Sequence, residues 1–591
     1  MNIGTGILKI VATGVLLGSI SAGALASGLS PVHGNVPAMV SGAKMTGHHN
    51  PRSSLTVSIA LPPANQAQLT QFLHDLGDRS SPNYHKYLKP GQFAQLYGPK
   101  DQAAAVKAYL VQHGIPAKGI TTSPNYTRLH FTATTAVIES LFGVAVNDYS
   151  YQGTTFYSNT SDPLVPASLG VKAIFGLEDG VQWRAHNVQG PVVAQPRAGA
   201  GPSGFSPLQI ETAYDWPDIT NTGNGAGVTI AIATAFTFRS QDLTKFWDTY
   251  GLPHHSVTIT AIDGTTKVLN GETTLDIERS SSMAPGAAIH VYECSTPANQ
   301  TFDDEFLAIA NNDSEQVVST SWGRAEIQAT QFGTPSVSFA TLGAEHDDFV
   351  QMKTQGQIVM AAAGDDGAAD RAPGSDNADF PSSDPYVIAA GGTTLTLNPD
   401  NTINTEAAWS TVNGQGGAGG ADSMFFAEPD YETNSPGWVS NTSCAEDVID
   451  DPEYTHSTDT VCAAQGNPSR QSSDIALDAD PQTGYSIYYN GRWEMFGGTS
   501  FVAPELAGFF ANLIQQSGGG NVGPGPKLVF CLATDGNNNP GTFTTFNDIT
   551  SGNNGFPAAT GWDHATGWGS FDAQNLITDY ISDKLASLPC L

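Results

Sequence analysis

The residue of this chain best placed to do chemistry is Ser500, in the run Gly-Gly-Thr-Ser-Phe-Val-Ala-Pro at 497–504. The paired glycines let the backbone turn tightly without a Cβ clash. The apolar run Phe501, Val502, Ala503, Leu506, Ala507, Phe509 and Phe510 reads as a buried helix. Ser500 would then sit at a helix N-terminus, where unpaired N–H groups and the dipole favour negative charge developing on a reacting carbonyl. The same residues also suit an ordinary glycine turn with a capped helix, so the partners of the serine decide between the two.

A hydroxyl nucleophile needs a base. Beyond residue 200 the histidines are His254, His255, His290, His346, His456 and His564, and none stands in a His-Gly-Thr-His type segment. That argues against an imidazole base and points to carboxylates, since such constellations are recognised by role and not by order. Glu272 and Asp276 lie one helical turn apart in Gly-Glu-Thr-Thr-Leu-Asp-Ile-Glu at 271–278. On an exposed helix their repulsion costs on the order of a few tenths of a kcal/mol. Facing a cleft, they would share a proton and form a base that works in acid. The alternative is a solvated acidic helix face, which is the reading that suits Glu278 beside Arg279. A third segment, Ile358 to Ala363, reads as an apolar strand running into the turn Gly364-Asp365-Asp366-Gly367.

In this order, Glu-x-x-x-Asp, Ala-Ala-Gly-Asp and Gly-Thr-Ser-x-x-x-Pro resemble the sedolisin family of serine-carboxyl peptidases, its kumamolisin-like members with a pro-domain in particular. Further matching stretches are 319–323, 380–383, 390–393 and 478–485, so the resemblance covers nearly the whole chain. It implies that Ser500 attacks the peptide carbonyl, that Glu272 is general base and then acid, and that Asp276 orients Glu272 and shares its charge. It also implies that Asp365, selected over Asp366 by the Gly-Asp-x-Gly pattern, stabilises the oxyanion. A carboxyl can donate there only when protonated, which acid or an apolar site ensures. One departure is Thr234, near which members of the family carry an additional glutamate.

Near the C-terminus, Asn547 to Gly555 and Ala559 to Gly567 are rich in Asp, Asn and Gly. Such a loop is commonly a plain turn, but its aspartates and freed carbonyls also suit Ca²⁺, which takes six or more oxygen ligands. The resemblance implies one structural calcium ion held by the Asp548 and Asp563 side chains and the carbonyls of Ile549, Ala559 and Gly561. Ala559 stands where the family usually has glycine.

Composition fits a secreted acid enzyme. Lys9, the apolar run from Ile10 to Leu17 and the small residues ending at Ala26 read as a signal peptide spanning 1–26. No mature membrane span follows. Five cysteines in 591 residues are too few for a disulfide scaffold. Cys444 with Cys462 is the first candidate pair, Cys531 with Cys590 the second, and Cys294 a buried free thiol.

Charge divides the chain. Residues 1–200 hold 13 Lys/Arg against 8 Asp/Glu, and the rest hold 11 against 48. The break falls at a Pro/Gly-rich stretch that suits a cleavable linker. The expected organisation is a pro-domain over 27–195, a linker over 196–204 and a catalytic domain over 205–591 with the calcium site. Acid near pH 4, where carboxylates titrate, would weaken attraction between the two bodies. Strands Val228–Ala233, Ala287–Tyr292, Val317–Ser321, Ile358–Ala363 and Tyr386–Ala390 alternate with helix-length segments, an α/β layout with a parallel sheet. Upstream, a helical pattern with Leu69, Phe72, Leu73 and Leu76 is followed by strand-like stretches at 122–131 and 142–157. The resemblance makes these a subtilisin-like catalytic domain preceded by an α+β, ferredoxin-like pro-domain that covers the active site.

The expected function is a secreted, acid-acting endopeptidase made as an autoactivating zymogen. It would be monomeric, acting on proteins and peptides, inhibited by its own pro-domain, with no membrane partner. Nucleic acid is disfavoured by the negative body. A tripeptidyl exopeptidase of the same family differs by a blocked cleft, and a catalytically silent peptide binder is the reading from another class.

Overall fold

The structure, a computed structural model, describes residues 28–190 and 203–582 apart from 38, 152, 218–222, 327–338, 371–375, 411–415, 436–437, 439, 441–467, 524 and 539–544. The expected signal peptide, the expected linker as far as 202, and Cys444, Cys462 and Cys590 lie outside the described residues. Cys531 is disulfide-bonded, and Cys294 is the expected buried free thiol.

Alternation of apolar side chains builds the larger unit. In the strand Thr229–Ala235, Ile230 and Ile232 join the hydrophobic cluster on one face of the sheet, while Ala231, Ala233 and Ala235 join the cluster on the other. The strand Ile358–Ala362 divides the same way, with Ile358, Met360 and Ala362 opposite Val359 and Ala361. Strands buried on both faces belong in a parallel sheet covered by helices. The sheet runs Val257–Ala261, Ala288–Cys294, Thr229–Ala235, Val317–Thr320, Ile358–Ala362, Val387–Leu397 and Ile403–Ala408. Its pairs are parallel except the last, and Ile475–Asp478 adds a parallel eighth strand beside Val387–Leu397. Each strand expected from the sequence is present within about two residues at its start, the usual uncertainty of element ends.

The N-terminal unit has an antiparallel sheet of Ser54–Ala60, Thr121–Thr122, Arg128–Thr134 and Ala173–Phe175. Counted along the chain, these strands stand in the order second, third, first, fourth. With the helices Lys100–Gln112 and Thr135–Phe142 on its core, this is the ferredoxin-like arrangement. The stretch expected as strand from Phe142 onwards begins instead at the end of a helix. Ile138, Leu141 and Phe142 recur at helical spacing, and Gly143 closes the helix in the left-handed region at φ 64°.

Buried ion pairs and apolar contacts fix the two units together. Leu69 and Leu73, on the helix Gln66–Gly77, join a cluster with Phe306 and Phe349 of the larger unit. Arg128, fully buried, donates to Asp303 at 2.7 and 3.0 Å, to Asp348 at 3.1 Å and to the Ala344 carbonyl at 2.7 Å. Removing one member of such a group strands the others, at about 3–5 kcal/mol.

Candidate active site

Ser500 stands where the strand Arg492–Gly497 turns into the helix Val502–Gln516 through the single 3₁₀ turn Thr499–Phe501. Gly498 makes the turn with φ 118°, in the region that favours glycine. A Cβ there would lie 2.3 Å from the His186 carbonyl oxygen and 2.6 Å from Asp365 Oδ2, so those two oxygens border the same spot.

Asp365 reaches that spot from the end of the strand Ile358–Ala362. Its Oδ1 accepts from the Thr499 N–H at 2.8 Å and the Thr499 hydroxyl at 2.9 Å. Its Oδ2 is buried and has no hydrogen-bond partner among the described residues. Burial raises the Asp365 pKa to about 7, with the His186 charge and the Thr499 bonds opposing. A protonated Oδ2 is thus a free donor facing a carbonyl oxygen.

Glu272 and Asp276 project from the helix Gly271–Met283, capped by Asn270, whose Oδ1 accepts from the Glu272 N–H at 2.7 Å. The Ser321 hydroxyl donates to Asp276 Oδ1 at 2.6 Å and also lies 3.1 Å from the Ser500 carbonyl. Glu272 Oε2 accepts from the Asn187 side-chain amide, while the Ser500 hydroxyl lies 3.5 Å from the Ser321 carbonyl and Glu272 Oε1 has no hydrogen-bond partner among the described residues. Burial raises Glu272 above the carboxylate range, with the Asn187 and Ser500 side chains opposing. Burial, then the Glu272 charge, holds Asp276 well above the carboxylate range. The two carboxyls together behave as a proton-sharing pair.

Glu278 does not lie on a solvated face. The whole helix from Glu272 to Met283 is buried, despite its polar sequence, and several of its polar groups find partners in the neighbouring elements. Glu278 accepts from the Tyr488 N–H at 3.2 Å, Arg279 pairs with Glu505, and Ser281 accepts from Trp247 Nε1 at 2.9 Å. Thr234, where a glutamate was expected of the family, lies 3.1 Å from the Thr273 hydroxyl and accepts from Trp322 Nε1 at 3.0 Å.

Sequence reasoning missed what fills the cleft. The segment 184–190, expected as the tail of the pro-domain, crosses the site as an extended chain. Arg184–Ala185 pairs antiparallel with Trp322–Ala325, and Val188–Gln189 with Arg492–Gly497. Between them the His186 N–H donates to the Ser321 carbonyl at 3.0 Å, and the Ser500 N–H donates to the His186 carbonyl at 3.0 Å. Seven residues of this kind read only as a short extended run, and nothing local tells which edge they will pair with. Each other described histidine beyond residue 200 is engaged elsewhere: His254 with Asp248, His255 with the Ala287 carbonyl, His290 with Glu315, His346 with Asp384 and His564 with Asp422.

The expected calcium residues come together in one loop. Asp548 Oδ2 accepts from the Gly561 N–H at 3.1 Å, and Asp563 Oδ2 from the Ala559 N–H at 2.7 Å. Asp563 Oδ1 is taken by the N–H groups of Ala565 and Thr566 and the Thr566 hydroxyl. Two carboxylates brought into one loop are the oxygen donors a hard cation takes, and each accepts main-chain N–H groups here. Among the described residues no three His, Cys, Asp or Glu side chains gather to hold a metal, so carbonyls would have to complete the shell.

A serine on a strand-to-helix turn beside a large parallel sheet, with an N-terminal unit laid over the cleft, defines a subtilisin-like peptidase fold with a pro-domain. Residues 41–179 match the family described as Pro-kumamolisin, activation domain, and residues 255–523 match the Subtilase family. The chain is 28% identical to kumamolisin of Bacillus sp. (strain MN-32), over 83% of this chain and 85% of that protein. It is 27% identical to sedolisin of Pseudomonas sp. (strain 101), over 88% and 86%. A solved structure of Pseudomonas sedolisin, a serine-carboxyl proteinase complexed with two molecules of pseudo-iodotyrostatin, aligns with a TM-score of 0.51 at 25% identity, over 65% of this chain and 100% of that one. The chain thus combines a Pro-kumamolisin activation domain with a subtilase domain and is homologous to kumamolisin and sedolisin, serine-carboxyl peptidases of the sedolisin type.

Proposed function

We propose that this serine peptidase is a secreted, acid-acting endopeptidase made as a zymogen that cuts itself, first between His186 and Asn187. The observation that carries the reading is the His186 carbonyl at the Ser500 N–H, with the His186 N–H on Ser321. That is how a substrate lies before attack. Ser500 Oγ attacks the carbonyl carbon, and Glu272 takes the hydroxyl proton. The oxyanion is held by the Ser500 N–H and protonated Asp365. Glu272 then passes its proton to the leaving amine, Asp276 sharing the charge meanwhile. Water, deprotonated by Glu272, releases the acyl group and restores the serine.

Endopeptidase action is favoured over tripeptidyl release because the chain continues on both sides of that bond. Upstream it passes Trp183, whose N–H donates to the Pro297 carbonyl, and Gln182, bridged to Ala298. A cleft closed after three residues would not admit it. Asp548, Asp563 and the carbonyls of Ile549, Ala559 and Gly561 would hold calcium as a brace with no part in the chemistry. Secretion rests on the leader-like residues 1–26, and among the described residues no helix is long and apolar enough to cross a membrane.

The test is mass spectrometry of the purified chain and of Ser500→Ala in acid, followed by digestion of long peptides near pH 4. Wild type should be cut at 186–187 and should make internal cuts, and Ser500→Ala should stay whole. Normal processing of Ser500→Ala, or exclusive release of N-terminal tripeptides, would overturn the reading.

A further inference from the structure

Past His186 the pro-segment continues as the outer strand of a small antiparallel sheet. Val188 and Gln189 stand opposite Gly497 and Phe496, and the strand Arg492–Gly497 is itself paired with Tyr485–Tyr489. The Gly190 N–H extends the pairing, donating to the Met495 carbonyl at 2.9 Å. Side chains on the run alternate as on any strand. Val188 packs on the large hydrophobic cluster, whereas Gln189 is exposed and its Nε2 donates to Glu494 Oε2 at 3.3 Å.

Gly190 is where the run is tightest. It is buried, and a Cβ on it would lie 2.6 Å from the Pro481 carbonyl oxygen, 3.2 Å from the Met495 carbonyl oxygen and 3.0 Å from Met495 Cε. Two of those three atoms are main chain, so a rotamer change does not clear the space. The turn that carries Pro481 is also held firmly. The Asp480 carbonyl accepts from the Gly484 N–H at 2.8 Å and the Thr483 N–H at 3.1 Å, while the Asp480 carboxylate accepts from the Gln482 N–H at 2.9 Å and the Thr394 hydroxyl at 2.8 Å. Behind it, a Cβ on Gly497 would lie 2.6 Å from Pro481 Cα, so the turn is pressed against the strand that leads to Ser500. Met495 is confined from the other side, its Cγ 3.0 Å from where a Cβ on Gly204 would stand, as the chain passes the far strand of the hairpin with Phe205 bridged to Tyr485.

We propose that Pro481 and Met495 form a glycine-reading subsite for the fourth residue after the cut bond, and that the enzyme favours peptide substrates with glycine there. The inference rests on the peptidase reading given above, with the cut between His186 and Asn187. A substrate lying on the same edge as residues 187–190 keeps its fourth N–H on the Met495 carbonyl only if that residue has no Cβ. A side chain there pushes the strand end outward and breaks the bond, and proline has no N–H to offer. Bond and close packing are lost together while the leaving side must be held for attack, so the loss appears in kcat/KM.

The experiment has two arms. In the processed wild-type enzyme, kcat/KM is measured near pH 4 for peptides with the sequence of residues 182–190 followed by two alanines, bearing glycine, alanine or leucine at the fourth position after the cut. A further peptide carries glycine at the third position and alanine at the fourth, which separates the subsite from a general benefit of a flexible chain. In the full chain, the first cut is timed by mass spectrometry for wild type, Gln189→Ala and Gly190→Ala. The peptide with glycine at the fourth position should exceed each of the others by about fivefold or more, the size of one lost hydrogen bond with its packing. Gly190→Ala should slow the first cut by a similar factor, and Gln189→Ala should leave it within about twofold of wild type. Equal cleavage with glycine and alanine at the fourth position, or equal cleavage when glycine is moved to the third, overturns the subsite and leaves the peptidase reading intact. No cleavage of any peptide or of the chain itself overturns both. The peptide ratios decide the matter even if Gly190→Ala fails to fold.

Discussion

Protonation state decides what each carboxyl at Ser500 can do. Asp365, raised to about 7 by burial, is protonated through the acid range, and its Oδ2, without a partner among the described residues, is left to donate to an oxyanion. Asp365→Asn keeps a donor in place, whereas Glu272→Gln removes the group that accepts the serine proton. We expect Glu272→Gln to lower kcat by far more than Asp365→Asn, and Asp365→Ala to cost the roughly 2.7–4 kcal/mol typical of a lost oxyanion donor. Steady-state kinetics near pH 4 compare them, and a larger loss for Asp365→Asn would reverse the roles. The signs also set an upper limit on working pH, since ionisation of Asp365 converts a donor into a repelling anion. Activity of the wild type should therefore decline as pH rises through about 7, and a flat profile to pH 9 would exclude a donating Asp365.

At the scale of elements, the turn Gly498-Thr499-Ser500 and the loop at 548–563 carry most of the consequence. A Cβ at residue 498 would strike the carbonyl of the bound segment and Asp365 together, at a φ that side chains avoid. Gly498→Ala should accordingly block the first cut even though Ser500, Glu272 and Asp365 are all retained. Processing of Gly498→Ala at the wild-type rate would show that the segment need not lie where it does. The loop, if it binds calcium, stabilises the folded state by mass action. Chelation should then lower the Tm and Asp548→Ala should mimic it, with calorimetry as the readout. An unchanged melting curve after verified metal removal would discard a structural ion. Sequence periodicity served well for elements whose apolar residues repeat, such as Val502–Gln516. For Gly271–Met283 the expected helix is present, but its burial was not legible, because several of its polar groups are paired by other elements and leave no apolar stripe for the pattern to report.

Over the whole molecule, buried carboxyls dominate the response to pH. Burial raises Glu178 and Glu326 to about 7, and Glu345 to about 8. In the unfolded chain they titrate near 4. A carboxyl raised in the folded state contributes stability that is complete below the unfolded value and lost as pH rises through the folded one. The net charge of −32 adds self-repulsion at neutral pH. The Tm of Ser500→Ala should thus be higher at pH 5 than at pH 8, by roughly 5 °C or more; an equal or lower value at pH 5 would contradict it.

The same sign rule changes the expected route of pro-domain release. Asp304 and Asp348, which face His130 and Arg128, are held well above the carboxylate range by burial, so protonating them does not loosen the docked state. Buried histidines act oppositely. Burial, then Arg79, lowers His85 to about 4, and burial lowers His130. The His85 segment is tied to the catalytic body where the Leu88 N–H meets the Thr354 carbonyl. Docking should weaken as pH falls from about 6.5 towards 4, by about tenfold or more. Hydrogen exchange over 184–190 in Ser500→Ala should accelerate across that range, less so in His85→Gln. Protection that is constant from pH 7 to pH 4 would rule out histidine-driven release.

Sequence alone determined most of the elements and offered the candidate reactive set, because both are written locally. Glycines at a turn, a carboxylate pair one helical turn apart and apolar strands ending in Gly-Asp are legible without knowing what lies beside them. The ferredoxin-like order of the pro-domain strands was legible by resemblance, and the opposite charges of the two bodies by counting. What only the tertiary structure decided was pairing between distant segments. It put His186 and Asn187 on Ser500 and Glu272, Asp379 under the His186 ring, and Arg128 among Asp303 and Asp348. These contacts join residues from 85 to more than 300 positions apart. Their partners are chosen by which surfaces the folded sheet and helices leave open, and no short window of sequence contains both sides of such a choice.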